Sequence, residues 1–590
     1  GDGVFQIQAR ASGVAVEYAK DWPRVENAYA ELFINGRRLE VTSPAAVTAG
    51  GRVQKISVIL PDMIGAEKIL QIRGEAAEET QRCLDFIRVS PVRTYIGGIT
   101  DGITVQGRGL LALQLDIPLY SDKQAEVSGS YRFFENDISF AGKSPPLTKT
   151  RGDLLFSRAA LHTRNLTAQI LGGPASLQIR KDSGKALQAK LSGMINADVA
   201  RNEVGYSILH QLYGVAPWEA EIKATGNQVD MRVSADLAGL TSTLPAPLSK
   251  EAGEPLQLRF ERKFLDPERD MLTFEYGSQL YVNLLRQGDN GRLAVKRGIV
   301  SFGKPADLPG RDGLWVAGKL PHLSLQGWGF LTDFFDGATS LMVADMDFML
   351  HKVSGYGYKL DEVHVSGRTA RNGALVAQLV STDLNGELIW SQQGDGGLVM
   401  RVKNASFDKD SASSRRPATD GNQPGPDGPG DRRFPAMDII AEIVILGGNI
   451  LGKLEIQGSQ DGDEWILGNL LLTNPDGVMA ANGRWTMGKG MEQTLFKVKL
   501  EISNAGNVLA RSGYPDTVRY GSGKLDGTFT WPGSPADFSY ASLNGAFNID
   551  TGKGQFLEID PGAGKLLSIL SLQSLPKHLT LDLADVFSNG

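Results

Sequence analysis

The residues that most often carry chemistry are scattered in this chain. No two of its six histidines have the spacing of metal ligands, and its single cysteine, Cys83, excludes a cysteine-based zinc site. Acidic residues are plentiful, but Asp345 and Asp347 alternate as on the solvated side of a strand, and a calcium site would need an oxygen-rich loop. We therefore predict no catalytic residue, no metal site and no cofactor, and we expect that the protein is not an enzyme.

Two glycine-rich strings resemble nucleotide-binding loops only in their letters. Residues 107–112 (GRGLLA) should open a helix after a strand, yet an alternating segment that ends in Pro118 follows them. Residues 561–565 (PGAGK) have Ile559 in place of the first glycine and Leu566 where a phosphate loop needs Ser or Thr. Neither string predicts a nucleotide site.

The composition excludes further classes. A net charge of −6, from 61 basic and 67 acidic residues, leaves no basic footprint, so no nucleic-acid partner is expected. Apolar runs such as residues 439–446 stop well short of the ~18 residues that span a bilayer, and no signal peptide is visible. The chain starts with Gly1 rather than Met, and we interpret it as a fragment truncated at both ends.

The elements that must position any site are strands. Apolar and polar residues alternate with period two through about 30 segments, mostly joined by short turns such as the hairpin signal Asn35-Gly36. Strands joined in this way pair antiparallel, and no βαβ rhythm is present. The pattern predicts a mainly β fold, with one long, twisted, mostly antiparallel sheet curled into an open trough whose groove is hydrophobic, plus a few short helices.

Four segments have helical spacing instead, namely residues 76–87, 198–213, 507–513 and 565–574. The last is apolar nearly all round and must therefore be buried. Two interpretations stay open: this helix lies against the apolar face and caps the trough, or it only plugs a core.

One composition break divides the chain. Residues 408–433 contain almost nothing that can be buried, and we predict a disordered Pro/Gly-rich insertion there, whose deletion should leave stability and function nearly unchanged. It separates residues 1–407, the N-terminal part of an elongated β-groove, from residues 434–590, the AsmA-like C-terminal part of the same groove.

Several motifs together resemble the AsmA-like superfamily, in particular its YhdP branch in Gram-negative bacteria. In family order, the matching pieces are residues 171–174 (LGGP), 214–218 (GVAPW), 244–250 (LPAPLSK), 513–514 (GY), 523–527 (GKLDG), 531–535 (WPGSP), 564–576 (GKLLSILSLQSLP), 579–582 (LTLD) and 585–587 (DVF). His578 and Leu583 depart from the pattern, where Arg and Phe are expected. The resemblance covers nearly the whole chain.

The resemblance implies a periplasmic β-groove that carries phospholipid between the inner and outer membranes and contributes to outer-membrane lipid homeostasis and barrier integrity. It also implies an inner-membrane anchor and contacts with both membranes, made through parts absent from this chain. Envelope proteins are possible further partners. Physical chemistry agrees, because a sheet with one apolar face in water needs a cover, and each methylene buried there contributes about 0.8 kcal/mol.

We predict that apolar members of the alternating runs and of the C-terminal helix line the groove and bind lipid. These residues are Leu113, Leu115, Leu187, Met231, Val233, Leu258, Leu375, Leu454, Ile456, Phe496, Val498, Phe556, Leu566, Leu567, Leu570 and Leu581. The alternative is a structural or assembly protein, a β-solenoid or an array of sandwiches, whose own side chains fill its core. The two differ in whether protein covers the apolar face.

Overall fold

The computed structural model describes residues 5–557 apart from residues 18–20, 96–99, 120–124, 141–144, 183, 204–206, 227, 290–291, 326–342, 356–357, 392–396, 410–435, 488–491, 513, 536–537 and 539. The predicted helix at residues 565–574, with Leu566, Leu567 and Leu570, lies outside the described residues, as does Leu581. Most of the predicted insertion at residues 408–433 also lies outside them.

Within the described residues the chain is mainly strand. One mixed sheet contains 32 strands, and two more strands form a small separate sheet. By contacts between Cα atoms the chain divides into two compact units. The N-terminal unit comprises residues 1–244, 249–278 and 282–296, and the C-terminal unit comprises residues 245–248, 279–281 and 297–590.

The N-terminal unit contains all or most of each of the first seventeen strands. They are β1 (Gln6–Val16), β2 (Val25–Asn35), β3 (Arg38–Thr48), β4 (Gly51–Leu60), β5 (Lys68–Glu79), β6 (Ile103–Leu119), β7 (Glu126–Phe140), β8 (Leu147–Ser157), β9 (Ala160–Ile170), β10 (Gly173–Asp182), β11 (Leu187–Asn196), β12 (Leu212–Thr225), β13 (Gln228–Asp236), β14 (Leu240–Ser242), β15 (Gln257–Asp266), β16 (Arg269–Tyr276) and β17 (Leu280–Asp289). Their described pairings are antiparallel and join mostly consecutive strands. The hairpin predicted at Asn35-Gly36 is confirmed, since β2 and β3 meet there and Gly36 has φ +58°.

The C-terminal unit contains all or most of each of the remaining strands. They are β18 (Arg292–Phe302), β19 (Gly313–Leu320), β20 (Leu323–Ser324), β21 (Val343–Gly355), β22 (Tyr358–Thr369), β23 (Leu375–Val380), β24 (Leu384–Ser391), β25 (Gly397–Lys409), β26 (Ala436–Leu446), β27 (Asn449–Asp461), β28 (Glu464–Asn474), β29 (Gly477–Thr486), β30 (Gln493–Ile502), β31 (Val518–Tyr520), β32 (Gly523–Pro532), β33 (Asn544–Thr551) and β34 (Gly554–Phe556).

Parallel neighbours occur in this C-terminal unit. Strand β19 pairs in parallel with β18 and β21, β20 with β21, and β25 with β26. The sheet is therefore mixed, although most of its described pairings are antiparallel as predicted. Because β25 and β26 are parallel, the end of β25 and the start of β26 lie at opposite ends of this strand pair.

Short helices interrupt the strands. They are α1 (Thr80–Arg88), α2 (Val92–Tyr95), α3 (Ala197–Glu203) and α4 (Ala505–Arg511), with 3₁₀ turns at Ser207–Gln211, Leu237–Gly239 and Tyr540–Ser542. Helix α4 lies close to the predicted segment 507–513, and the Asn504 side chain caps it by accepting from the Asn507 backbone N–H at 3.1 Å.

Two helix predictions were too long. The segment predicted from residue 76 is helical only from Thr80, because Ala76 to Glu79 continue the ladder of β5 against β6. Of the segment predicted up to residue 213, Ala197–Glu203 forms α3 and Ser207–Gln211 a 3₁₀ turn, but β12 begins at Leu212, so Gly214 lies inside a strand instead of capping a helix. There Gly214 has φ +95°, and a Cβ atom would lie 2.5 Å from the carbonyl oxygen of Gly239.

Candidate functional site

The predicted groove residues of the N-terminal unit lie on one face of the sheet. Residues directly opposite each other in neighbouring strands share a face. These opposite pairs are Leu187 with Ala224, Ile222 with Met231, Ala220 with Val233, Val233 with Phe260, Ala235 with Leu258, and Leu258 with Tyr276. An apolar surface therefore runs from β11 to β16.

The opposite face of the same strands is charged. Ion pairs join neighbouring strands there, between Lys190 and Glu221 at 3.0 Å, Arg232 and Glu261 at 3.1 Å, and Arg259 and Glu275 at 3.5 Å. Such exposed pairs stabilise little individually, but they keep this face in water. The sheet is thus two-faced.

The C-terminal unit has the same division. Opposite pairs on its apolar face include Leu375 with Trp390, Ala441 with Leu454, Ile439 with Ile456, Ala481 with Val498, and Phe496 with Phe529. Its other face carries ion pairs between Arg401 and Asp438 at 3.0 Å, and between Lys524 and Glu501 at 3.0 Å. Five of the predicted groove residues of this unit, Leu375, Leu454, Ile456, Phe496 and Val498, therefore lie on the apolar side.

Most of these predicted residues are only half-buried. Leu115 is the exception, with 2% of its surface exposed, while Met231, Val233 and Phe496 keep intermediate exposure. Phe556 lies in β34, which pairs with β31 in the separate two-stranded sheet. The described part of the apolar face is therefore partly accessible.

A cavity of about 360 Å³ lies in the N-terminal unit between α1 and the strands β1–β6. The opposite pairs Val41–Val58, Val58–Ile72 and Ile72–Leu115 cross its wall from β3 to β6. Its lining residues are Val14, Val16, Val25, Ala28, Ala30, Val41, Ser43, Ala46, Thr48, Gly51, Val53, Ile56, Val58, Leu70, Ile72, Arg73, Gly74, Glu75, Ala76, Glu78, Arg82, Cys83, Phe86, Leu111, Leu113 and Leu115. The predicted residues Leu113 and Leu115 are thus brought into one concave apolar site.

Helix α1 is held over this cavity by a buried polar network. The Oγ1 atom of Thr80 accepts from the Tyr131 hydroxyl at 2.7 Å and from the Asn136 Nδ2 at 2.6 Å. Asn136 has no exposed surface and Thr80 has 3%. The Gln81 Oε1 accepts from the Val105 backbone N–H at 3.0 Å, so the first turn of α1 is tied to both β6 and β7.

Helix α1 contributes two apolar side chains to the cavity beside Arg82. Cys83 and Phe86 line the cavity, at helical spacing i and i+3. Burial raises the pKa of the Cys83 thiol to about 11, so the thiol is neutral near pH 7 and adds an uncharged surface. Both residues were missing from the predicted site, although the helical spacing in this segment was the signal that could have identified them.

Charged side chains border the cavity. Among the lining residues, Glu75 forms an ion pair with Lys55 at 2.6 Å, and the Arg82 Nη1 donates to the Gly50 carbonyl at 2.7 Å. Glu78 accepts from the Arg52 backbone N–H at 3.3 Å. An apolar wall with a charged edge suits an amphipathic ligand, whose chain is buried while its polar end stays near water.

Other kinds of site were sought in the part of the chain that the structure describes. No three His, Cys, Asp or Glu residues converge there as metal ligands. No helix in the same part is long and apolar enough to cross a bilayer.

Comparison with known proteins gives a consistent result. The family model described as YhdP protein matches residues 1–590. The chain is also 23% identical, over 611 residues, to the intermembrane phospholipid transporter YhdP of Escherichia coli (strain K12), and the match covers 100% of this chain and 47% of that protein. The chain thus spans about half the length of this curated relative. Since the family model covers every residue, the chain belongs to the YhdP family, within the AsmA-like proteins.

Proposed function

We propose that this chain is a section of a non-catalytic conduit that carries phospholipid between the inner and outer membranes through a hydrophobic β-groove. The observation that carries the proposal is the apolar cavity between α1 and β1–β6, which has charged residues at its edge. Acyl chains lie along the apolar face, and the headgroup stays at the charged edge.

The energetics favour this ligand. About a dozen buried methylenes contribute on the order of 10 kcal/mol. The half-buried residues of the apolar face, such as Met231, Val233 and Phe496, offer the same gain beyond the cavity. A structural protein with a self-filled core would leave less of this surface accessible, so the lipid conduit is the better account.

The name of the Escherichia coli relative, an intermembrane phospholipid transporter, supports the same function. Our proposal accordingly places this chain in the periplasm, in a protein anchored in the inner membrane. It assigns the contacts with the two membranes, and with any envelope protein partners, to parts outside this chain. The role served is outer-membrane lipid homeostasis and barrier integrity.

Mass spectrometry of lipids extracted from the purified chain tests the proposal. Phospholipid should copurify with the wild type, and Val41→Trp, which fills the cavity, should reduce the amount bound. Thr42→Trp is the matched control, because Thr42 is the exposed neighbour on the other side of β3. A wild type that carries no lipid, and acquires none from phospholipid vesicles, would overturn the proposal.

A further inference from the structure

A charged cluster interrupts the apolar face of the N-terminal unit. The Asp270 Oδ2 accepts from the Arg262 Nε at 2.8 Å and from the Arg286 Nη2 at 2.6 Å. The Asp270 Oδ1 accepts from the Arg286 Nε at 2.8 Å. Two guanidinium groups thus share one carboxylate, and the cluster has a net charge of +1.

The strand register places this cluster on the apolar side of the sheet. Arg262 is directly opposite Met231 in β13 and Leu272 in β16. Asp270 is opposite Phe264, which shares a face with Arg262 because the two are separated by two positions in β15. These charges therefore stand among the residues proposed to contact acyl chains, and not on the side of the Arg232–Glu261 ion pair.

The Asp270 carboxylate is fully buried, but both guanidinium groups remain partly exposed. Asp270 has no exposed surface, whereas 33% of the Arg262 side chain and 27% of the Arg286 side chain are exposed. Burial alone would raise the pKa of Asp270, yet hydrogen bonds and charge from Arg286 and Arg262 hold that pKa below its ordinary value. The carboxylate therefore stays ionised and neutralises only one of the two cations.

Arg262 has donors to spare. Its contact with Asp270 uses Nε only, and its Nη1 and Nη2 atoms donate to no partner among the described residues. One carboxylate balances only one of the two arginines, so the partly exposed cluster keeps a positive charge that can attract an anion beside the apolar wall.

We propose that Arg262, assisted by Arg286, binds the phosphate group of a phospholipid whose acyl chains lie on the adjoining apolar face. The two terminal nitrogens of a guanidinium match two oxygens of one phosphate, which gives a bidentate contact. This inference rests on the proposed function and adds a headgroup contact to it. Inorganic phosphate has the same chemistry, and the experiment separates the two sources.

The test compares two soluble short-chain ligands with identical acyl chains, a phosphatidylglycerol and a diacylglycerol, in titrations of the whole chain. The wild type should bind the phospholipid more tightly. Arg262→Gln should weaken phospholipid binding by about tenfold or more and leave diacylglycerol binding unchanged, because a charged hydrogen bond to phosphate is lost. Arg232→Gln, on the charged face and one strand position away from Met231, the register partner of Arg262, should change neither affinity.

Arg262→Lys is the second variant, in case Arg262→Gln does not fold. Lysine keeps the positive charge near Asp270 but lacks the bidentate donor pair. This variant should fold like the wild type and still lose most of the preference for phospholipid. If the wild type binds neither ligand, the proposed function itself fails. If both ligands bind and Arg262→Gln and Arg262→Lys keep the wild-type preference, the headgroup contact is wrong. Inorganic phosphate that binds through Arg262 without competing with phospholipid would also overturn the assignment to lipid.

Discussion

Val233 and Arg232 are adjacent in β13 and lie on opposite faces of the sheet. Val233 is directly opposite Phe260 on the apolar side, whereas Arg232 donates to Glu261 at 3.1 Å on the charged side. One peptide bond therefore separates a position that should meet acyl chains from a position that should meet only water.

A photo-crosslinking side chain at each of these two positions tests the two-faced sheet. At Val233 it should capture lipid, and at Arg232 it should capture little, because its side chain points to the other face. The protein is loaded with labelled phospholipid and irradiated, and unbound lipid is then extracted. The label that stays with the protein on a gel measures the crosslinking yield. Equal labelling at both positions would contradict the assignment of faces.

Replacing Asp270 by Asn should destabilise the protein in a pH-dependent way. The pKa of Asp270 is lower in the folded state than the ~3.9 of an unfolded chain, so its stabilisation is present above about pH 4 and is lost as the pH falls through the folded value. At pH 7 the loss should be roughly 2–3 kcal/mol, below the full cost of breaking a buried pair, because water screens the partly exposed arginines.

Denaturant midpoints at pH 7 and pH 3 measure this effect. The difference between the variant and the wild type should shrink at pH 3, because the Asp270 carboxyl of the unfolded chain is then mostly protonated and the folded state gains less from its ion pairs. Asp526→Asn is the control, since its ion pair with Lys499 at 3.8 Å is largely exposed and should contribute little at either pH. A difference that does not change with pH would show that Asp270 acts through packing and not through its charge.

Replacing Thr80 by Val should loosen α1. The change removes the oxygen that accepts from Tyr131 and Asn136, and leaves buried donors unpaired at a cost of about 1–3 kcal/mol. Cys83 reports on the helix because it is the single cysteine. Its alkylation by a maleimide should be faster in the variant than in the wild type.

The control for this prediction is Thr104→Val, at an exposed position of β6, which should leave the alkylation rate unchanged. In the wild type the rate should rise with pH up to about 11, because the thiolate is the reactive form and burial raises the pKa of Cys83 to about 11. An unchanged rate in Thr80→Val would mean that other contacts hold the helix.

The crossover between β25 and β26 should have a minimum length. Gly397 is opposite Ala436 and Phe407 is opposite Leu446, so the chain must travel back along ten ladder positions, about 33 Å at 3.3 Å per residue. Deleting residues 415–426 leaves enough chain and should be tolerated. Deleting residues 408–433 leaves too little chain to span that distance and should disrupt the parallel pairing, contrary to the expectation from composition alone.

Thermal unfolding of the two deletion variants distinguishes these outcomes. A third variant, with residues 410–433 replaced by an equally long Gly/Ser linker, separates length from sequence and should resemble the wild type. If the full deletion melts like the wild type, these two strands do not pair in parallel in solution.

Period-two alternation was sufficient to predict which way Met231, Val233 and Phe496 point, because side-chain direction in a strand is a local property. Pairing partners are not local, so nothing near residues 397–446 indicated that β25 and β26 run in parallel. The true start of α1 at Thr80 was also missed, since the ladder with β6 overrides helical spacing in the preceding residues.

The charged cluster around Arg262 could not be predicted from the sequence for a related reason. Alternation in β15 puts Arg262 on the face of Leu258 and Phe260, opposite the face of Arg259. The sequence does not show that Asp270 and Arg286 meet Arg262 there, because these contacts depend on the pairing of strands.

Pairing between mostly consecutive strands affects how the N-terminal unit folds and how it responds to the loss of a strand. Most strands need only the strands next to them in sequence, and the exceptions, β12 with β14 and β13 with β15, skip a single strand, so loop closure costs little and the unit can assemble in order as the chain is supplied. Loss of one strand should then open a local gap while distant strands keep their partners, as in repeat proteins with nearest-neighbour energetics. The C-terminal unit cannot grow entirely in this manner, because β26 can join β25 only after the whole crossover has been delivered.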